Sequence, residues 1–201
     1  MKKKKKGLLV IISGPSGVGK STVVSKLLKI YPELKFSISA STRPMRPNEK
    51  NGKDYIFLSE KEFFEREKRG EFLEWATVHN CYYGTPRGYI EENLEHGNSV
   101  VLEVDVQGAA RIKELAAENK LHAGSQVFIF LIPPSVDILA FRLKKRRTEK
   151  TDEMNYRLRA ALAELQVMEK YDYIVVNDKV DTAAEKIMAI INVEKERMMI
   201  N

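Results

Sequence analysis

The residues Gly14-Pro15-Ser16-Gly17-Val18-Gly19-Lys20-Ser21-Thr22 have the types and spacing to bind a chain of phosphates. They fit G-x-x-x-x-G-K-[ST], they follow the apolar run Leu8-Leu9-Val10-Ile11-Ile12, and they precede a helical pattern with apolar Val23, Val24, Leu27 and Leu28. Strand, loop and helix in that order are the context the pattern requires. Glycines 14, 17 and 19 let the backbone curl, so that successive N–H groups and the helix N-terminus point at phosphate oxygens. Lys20 would reach the β- and γ-phosphates, and the Ser21 hydroxyl would sit on Mg²⁺. A plain strand-to-helix turn needs a glycine or two but has no use for Lys-Ser at the helix start.

A second set of polar groups lies between Phe36 and Tyr89. Arg43 and Arg46 stand three apart in a loop stiffened by Pro44 and Pro47. Forked guanidinium groups bind phosphate bidentately, at lower cost when they are already placed. On spacing alone, two solvated surface arginines are the better reading. Tyr55, Tyr82 and Tyr83 supply hydroxyls, and Phe72-Leu73-Glu74-Trp75-Ala76 sets a carboxylate in an apolar strand. Turned inward, Glu74 needs donors, because an unpaired buried carboxylate is very costly. Guanine presents two on one edge, N1–H and the N2 amino group, and its O6 would accept from Ser39 or Thr85. Adenine has a lone pair at N1 and would leave the carboxylate unpaired, a mismatch that polar sites reject by roughly 10⁴. Turned outward, Glu74 is an ordinary edge-strand residue, and spacing does not decide between the two.

These groups need a scaffold. Strand-sized apolar runs at Leu8–Ile12, Ser99–Val104, Gln126–Ile132 and Tyr173–Val176 alternate with helical patterns at Lys20–Ile30, Gln107–Asn119, Ser135–Lys145, Asp152–Lys170 and Thr182–Met199. Such alternation predicts an α/β fold of three layers, a parallel central sheet with helices on both faces, and ligands at the carboxyl ends of its strands. Two segments interrupt the rhythm. Residues 36–89 read as an inserted lobe of short strand pieces (Phe36–Ala40, Tyr55–Leu58, Phe72–Thr77) and one helix opened by the capping box Ser59-Glu60-Lys61-Glu62. Residues 134–157 read as a helical lid rich in Arg and Lys, which leaves 7–35, 90–133 and 158–201 as the core domain.

The formal charge of +6 is mostly the lysine run Lys2 to Lys6, so the basic balance says little about nucleic acid binding by the folded body. Residues 1–6 are expected to be a disordered basic arm. The five apolar residues that follow are too few for a signal peptide, and no run reaches membrane-spanning length. Cys81 is the only cysteine, which excludes an intrachain disulfide. The expectation is a cytoplasmic protein without nucleic acid or membrane partners, with a homo-oligomer left open. His79, His96 and His122 lack metal-ligand spacing.

Taken in order, Gly14 to Lys20, Ser41-Thr42-Arg43-Pro44-Met45-Arg46, Asn51-Gly52-Lys53-Asp54-Tyr55, Phe72-Leu73-Glu74-Trp75-Ala76, Tyr82-Tyr83-Gly84 and Glu103-Val104-Asp105-Val106-Gln107-Gly108 resemble the guanylate kinases. The resemblance runs from about Leu8 to Asp178. It implies phosphoryl transfer from ATP, with Mg²⁺, to GMP and also dGMP. By position, Arg43, Arg46, Tyr55 and Tyr83 match the residues that hold the GMP phosphate, and Ser39, Glu74, Thr85 and Asp105 those around the guanine. Arg142, Arg146 and Arg157 match the arginines that close on the ATP phosphates and the transferring group. Asn177 and Asp178 match a segment near the adenine. Without the resemblance, Lys144-Lys145-Arg146-Arg147 would read as a solvated face. Arg147 stands where the family commonly has glycine, which makes the lid hinge stiffer and more basic, and the stretch Ala116 to Gln126 is a few residues long. Glu103 and Asp105 are both candidates for the metal. The other readings are a related kinase with a different phosphate acceptor and a guanylate-kinase-like binding module without activity; modules of that kind have degraded phosphate loops.

Overall fold

The structure, a computed structural model, describes residues 7–78, 80–118, 121, 126–145 and 151–200, with the backbone only at 145 and 151–156. The five-stranded parallel sheet has the order β2-β7-β1-β8-β9. Its strands are β1 Leu9–Ser13, β2 Lys35–Phe36, β7 Val100–Glu103, β8 Gln126–Ile132 and β9 Tyr173–Val176. Lys35 pairs with Val100 at one edge and Ile129 with Tyr173 at the other, both in parallel. Every residue of β1 is buried, which is why its sequence is one continuous apolar run rather than an alternation. The short four-stranded sheet has the order β4-β3-β6-β5, from β3 Ala40–Ser41, β4 Ile56–Phe57, β5 Phe72–Val78 and β6 Cys81–Pro86.

The chain divides into two compact units. One takes in the described residues of Met1–Leu9, Leu34–Leu102 and Gln107–Ser125. It holds the four-stranded sheet, whose core of Ala40, Phe63 and Phe72 is flanked by Ile56, Leu58, Phe64 and Tyr82. Helix α2 (Glu60–Lys68) delivers Phe63 and Phe64 to that core. It starts as expected: the Ser59 hydroxyl accepts from the Glu62 amide, and the Glu62 carboxylate accepts from the Ser59 amide. Asn80, with φ of 61°, turns β5 into β6, a conformation that Asn tolerates better than most residues. Helices α3 (Arg87–Glu95) and α4 (Val106–Ala117) complete the labelled elements up to β8.

The other unit takes in Val10–Glu33, Glu103–Val106 and the described residues of Gln126–Asn201. Helix α1 (Lys20–Ile30) buries Val23, Val24 and Leu27, and α7 (Val180–Ile200) buries Ala183, Ala184, Ile187 and Ile191. The two helices pack together, with Lys26 and Asp181 paired at 2.5 Å across their exposed edge. Helices α5 (Val136–Lys145) and α6 (Thr151–Leu165) share a small core of Leu139, Leu143 and Ala161, with Leu158 against it.

Beyond shifts of a residue or two at element ends, the fold differs from the sequence expectation in three places. The piece expected at Phe36–Ala40 is two strands, the first in the parallel sheet and the second in the four-stranded one. Cys81–Pro86 is a strand and Arg87–Glu95 a helix that the sequence reading did not single out. The helix expected over Asp152–Lys170 stops at Leu165 and is followed by a 3₁₀ turn at Met168–Lys170. Tyr171 lies beyond that turn, with its ring 4.7 Å from that of Phe130. From Gln166 the chain tightens into i→i+3 hydrogen bonds, the Gln166 N–H donating to the Ala163 carbonyl at 3.1 Å and the Lys170 N–H to the Val167 carbonyl at 3.0 Å. Among the described residues, no helix is long and apolar enough to cross a membrane.

Candidate active site

The loop after β1 owes its shape to neighbours as much as to its own sequence. Gly14 has φ of 146°, and a Cβ there would lie 2.4 Å from the carbonyl oxygen of Leu131 on β8. Glycine is therefore required both by conformation and by the closeness of the next strand. Gly19, with φ of 98°, precedes the first residue of α1, and a Cβ on it would meet Asn177 Nδ2 at 2.7 Å. Lys20 opens the helix and folds back, Nζ donating to the carbonyls of Gly14 at 2.5 Å and Pro15 at 3.3 Å. Ser21 Oγ donates to Glu103 Oε1 at 2.7 Å, which joins the helix start to the last residue of β7. A hydroxyl and a carboxylate so placed are hard oxygen donors of the kind a divalent cation takes. Glu103 is thus the carboxylate the structure brings to Ser21.

Asn177 follows β9 and is 2 % exposed. Its amide donates from Nδ2 to the Val18 carbonyl at 2.7 Å and from its backbone N–H to the Ile132 carbonyl at 2.8 Å. Arg142, on α5, donates from Nη1 to the Val18 carbonyl at 3.2 Å and from Nη2 to the Asn177 carbonyl at 3.0 Å. Gly17, Val18, Gly19, Thr22, Arg142, Asn177 and Val180 line one pocket. Asn177, expected from the resemblance only in a segment near the adenine, is thus bonded to the phosphate loop, and Arg142 lies there too, held by carbonyls. Arg157 lies on α6, half-buried. Arg146 and Arg147 fall outside the described residues, as do His79 and His122. Asp178 is exposed beside Asn177. One contact came from no motif: the backbone N–H of Ser16 donates to Glu164 Oε2 at 2.9 Å.

In the four-stranded sheet, Glu74 on β5 stands opposite Thr85 on β6. They are 7 % and 1 % exposed, and Thr85 Oγ1 donates to Glu74 Oε1 in a short hydrogen bond. The carboxylate that spacing left undecided is inward. Arg43 lies over the rings of Tyr55 and Phe57, 4.8 and 5.3 Å from their centroids, and the Tyr55 and Tyr83 rings meet edge to face at 6.0 Å. Its guanidinium is taken up by Glu49, a residue that the sequence reading passed over. That hydrogen bond, with help from the Arg46 N–H, holds the Glu49 carboxyl down to about 2 although burial pushes it up. The Arg43 guanidinium is raised correspondingly, first by the same hydrogen bond. Arg46 has its side chain mostly in solvent, 4.0 Å from Glu49. The carbonyl of Ser39, in the stretch before β3, accepts from the Ile56 N–H at 2.9 Å. Asp105 belongs to the unit that holds the phosphate loop. The signal that could have found Glu49 is its place in the same short loop as two arginines.

A parallel sheet whose central strand runs into a glycine loop, with Lys-Ser at the following helix and a strand-end carboxylate on that serine, defines a P-loop α/β protein of the nucleotide-dependent phosphotransferase class. The model of the family described as guanylate kinase matches residues 6–194. A guanylate kinase of Caldanaerobacter subterraneus subsp. tengcongensis is 50 % identical over 195 residues, 97 % of this chain and 91 % of the relative. One of Thermotoga maritima is 43 % identical, covering 98 % and 91 %. The crystal structure of guanylate kinase from Anaplasma phagocytophilum superposes with a TM-score of 0.78 at 35 % identity, covering 96 % of this chain and 88 % of that one. The chain belongs to the guanylate kinase family and is an enzyme.

Proposed function

We propose that the protein transfers the γ-phosphoryl group of ATP to the phosphate of GMP, giving ADP and GDP. The observation that carries this reading is the completeness of the phosphate loop down to its Ser21–Glu103 pair at 2.7 Å. A module that only bound peptides would have no use for it. The attacking oxygen is already anionic, so neither a covalent intermediate nor a strong base is needed. A bond forms from a GMP phosphate oxygen to the γ-phosphorus, and the bond to the β,γ-bridging oxygen breaks. What the protein contributes is positioning and neutralisation of charge.

On the donor side, backbone amides from Gly14 to Thr22 cradle the phosphates, and Lys20 leaves its carbonyl partners for the phosphate oxygens. Arg142, Arg146 and Arg157 neutralise the donor and the transferring group. Asn177 stands by the adenine. Ser21 and Glu103 would hold Mg²⁺, which supplies charge neutralisation along the phosphate chain when bound. On the acceptor side, which takes up residues 36–89, Arg43, Arg46, Tyr55 and Tyr83 hold the GMP phosphate. Glu74 takes the guanine N1–H and N2 amino group, Thr85 and Ser39 serve O6, and Asp105 completes the base recognition. Residues 134–157 act as the lid whose closing excludes water, and so protects ATP from hydrolysis.

The test is ADP formation from ATP and Mg²⁺ by the purified protein with GMP, dGMP, AMP, CMP or UMP. Turnover with GMP and dGMP far above the others supports the assignment. Equal turnover with AMP would overturn the role of Glu74, and no turnover with any would overturn the reaction.

A further inference from the structure

The contact between Ser16 and Glu164 spans 148 residues and joins a phosphate-binding amide to a carboxylate. The amides of this loop form a concave set of donors at a helix N-terminus, an arrangement that attracts any anion. Glu164 puts one there. It projects from α6, the helix that also carries Arg157 seven residues earlier. Seven residues are close to two full helical turns, so Arg157 and Glu164 share one face of α6, about 10 Å apart along the axis. Lys20 meanwhile donates to loop carbonyls. The loop thus has its Ser16 donor satisfied from within the protein, and its cation turned onto its own backbone.

We infer that Glu164 is a positioning residue of the phosphate loop, an internal anion that holds the Ser16 N–H and gives way to the phosphates of the donor nucleotide. This rests on the donor-site reading above. A triphosphate brings several negative charges to the loop whose Ser16 amide Glu164 faces, and like charges at contact distance repel. The carboxylate must withdraw when the phosphates enter. The same exchange holds the loop in shape before the donor arrives and sets a cost on donor binding.

The test uses the full chain, its Glu164→Gln and Glu164→Ala variants, and calorimetric titration with ATP and with inorganic tripolyphosphate in the absence of GMP. Glutamine keeps the acceptor oxygen and removes the charge. Both ligands should bind Glu164→Gln roughly fivefold more tightly than wild type, the worth of about one screened charge pair. Steady-state assays should show the same fall in KM for ATP, with KM for GMP unchanged. Adenosine, which has no phosphate, should bind all three proteins alike. A purely structural role would lower the melting temperature and weaken ATP and adenosine together. Equal or weaker binding of ATP and tripolyphosphate to Glu164→Gln, at unchanged melting temperature, would overturn the inference and leave the kinase reading standing. Should Glu164→Gln prove unstable, Glu164→Asp serves: it keeps the charge, shortens the reach and should also bind tripolyphosphate more tightly. Failure of wild type to bind either ligand would overturn both readings.

Discussion

Arg43 and Glu49 meet fork to fork, with Nη1 to Oε2 at 2.7 Å and Nη2 to Oε1 at 2.6 Å, and the Arg46 N–H donates to the same Oε2 at 2.9 Å. Both side chains are largely buried. The carboxylate occupies the donors that an acceptor phosphate would use, so the loop from Arg43 to Glu49 is ordered before any nucleotide is present. An arginine placed in advance loses less entropy when it binds.

The pH dependence of that pair follows from its sign. The Glu49 carboxyl is held down to about 2, against an ordinary value of 4.5. A depressed folded-state value contributes stability that is fully present above the unfolded value and is lost as pH falls through the folded one. The window is therefore from about 4.5 down to 2. Glu49→Gln should lower the melting temperature at pH 7 by about 2–6 °C, as expected for one charge-assisted hydrogen bond in a chain of this size. Melting curves at pH 7 and pH 3 check it: the gap between variant and wild type should narrow at pH 3. An equal gap at both would mean that the charge of Glu49 is not what stabilises the loop.

Removing Arg43 should act on one substrate only. Arg43→Ala is expected to raise KM for GMP by about 10- to 100-fold, the worth of a bidentate charged contact, and to leave KM for ATP within a factor of about two. Initial rates over a grid of both substrates measure this. An equal rise in the two KM values would argue for general damage to the fold.

Glu74 is tested through the base. Glu74→Gln keeps the shape of a buried side chain but presents an amide N–H₂ where guanine also has donors. Its kcat/KM for GMP should fall by at least about 100-fold, while the far-UV circular dichroism stays that of wild type. Near-normal activity with GMP would show that the buried Glu74–Thr85 pair is structural.

Lys20→Met removes the one cation built into the loop. Turnover should fall by at least about 10³, because neutralising the phosphate charge is the role proposed for Lys20, while the far-UV circular dichroism stays that of wild type. Retained activity would refute the proposed mechanism.

Gly14→Ala probes the loop's foundation. The added Cβ would fall 2.4 Å from the Leu131 carbonyl, at a φ of 146° that alanine avoids. Relief requires β1 and β8 to separate, so we expect a loss of about 3 kcal/mol or more, seen as a drop of roughly 6–12 °C in melting temperature.

Local chemistry wrote much of this protein into its sequence. The phosphate loop, the α1 bounds Lys20–Ile30, the strands Gln126–Ile132 and Tyr173–Val176, and the Ser59 capping box all follow from apolar runs, helical spacing and near-neighbour hydrogen bonds. The strand Cys81–Pro86 was not legible, because Cys-Tyr-Tyr-Gly-Thr-Pro has no apolar alternation and becomes a strand through pairing with β3 and β5. The direction of Glu74 was equally undecided: a period of two allows either face, and the burial of Thr85 opposite it settles which. Ser21 with Glu103 and Ser16 with Glu164 are 82 and 148 residues apart. No spacing rule reaches that far. Such partners are chosen when β1 takes its place in the sheet and α6 folds in the same compact unit, since a buried or half-buried amide must find an acceptor wherever the packed chain supplies one.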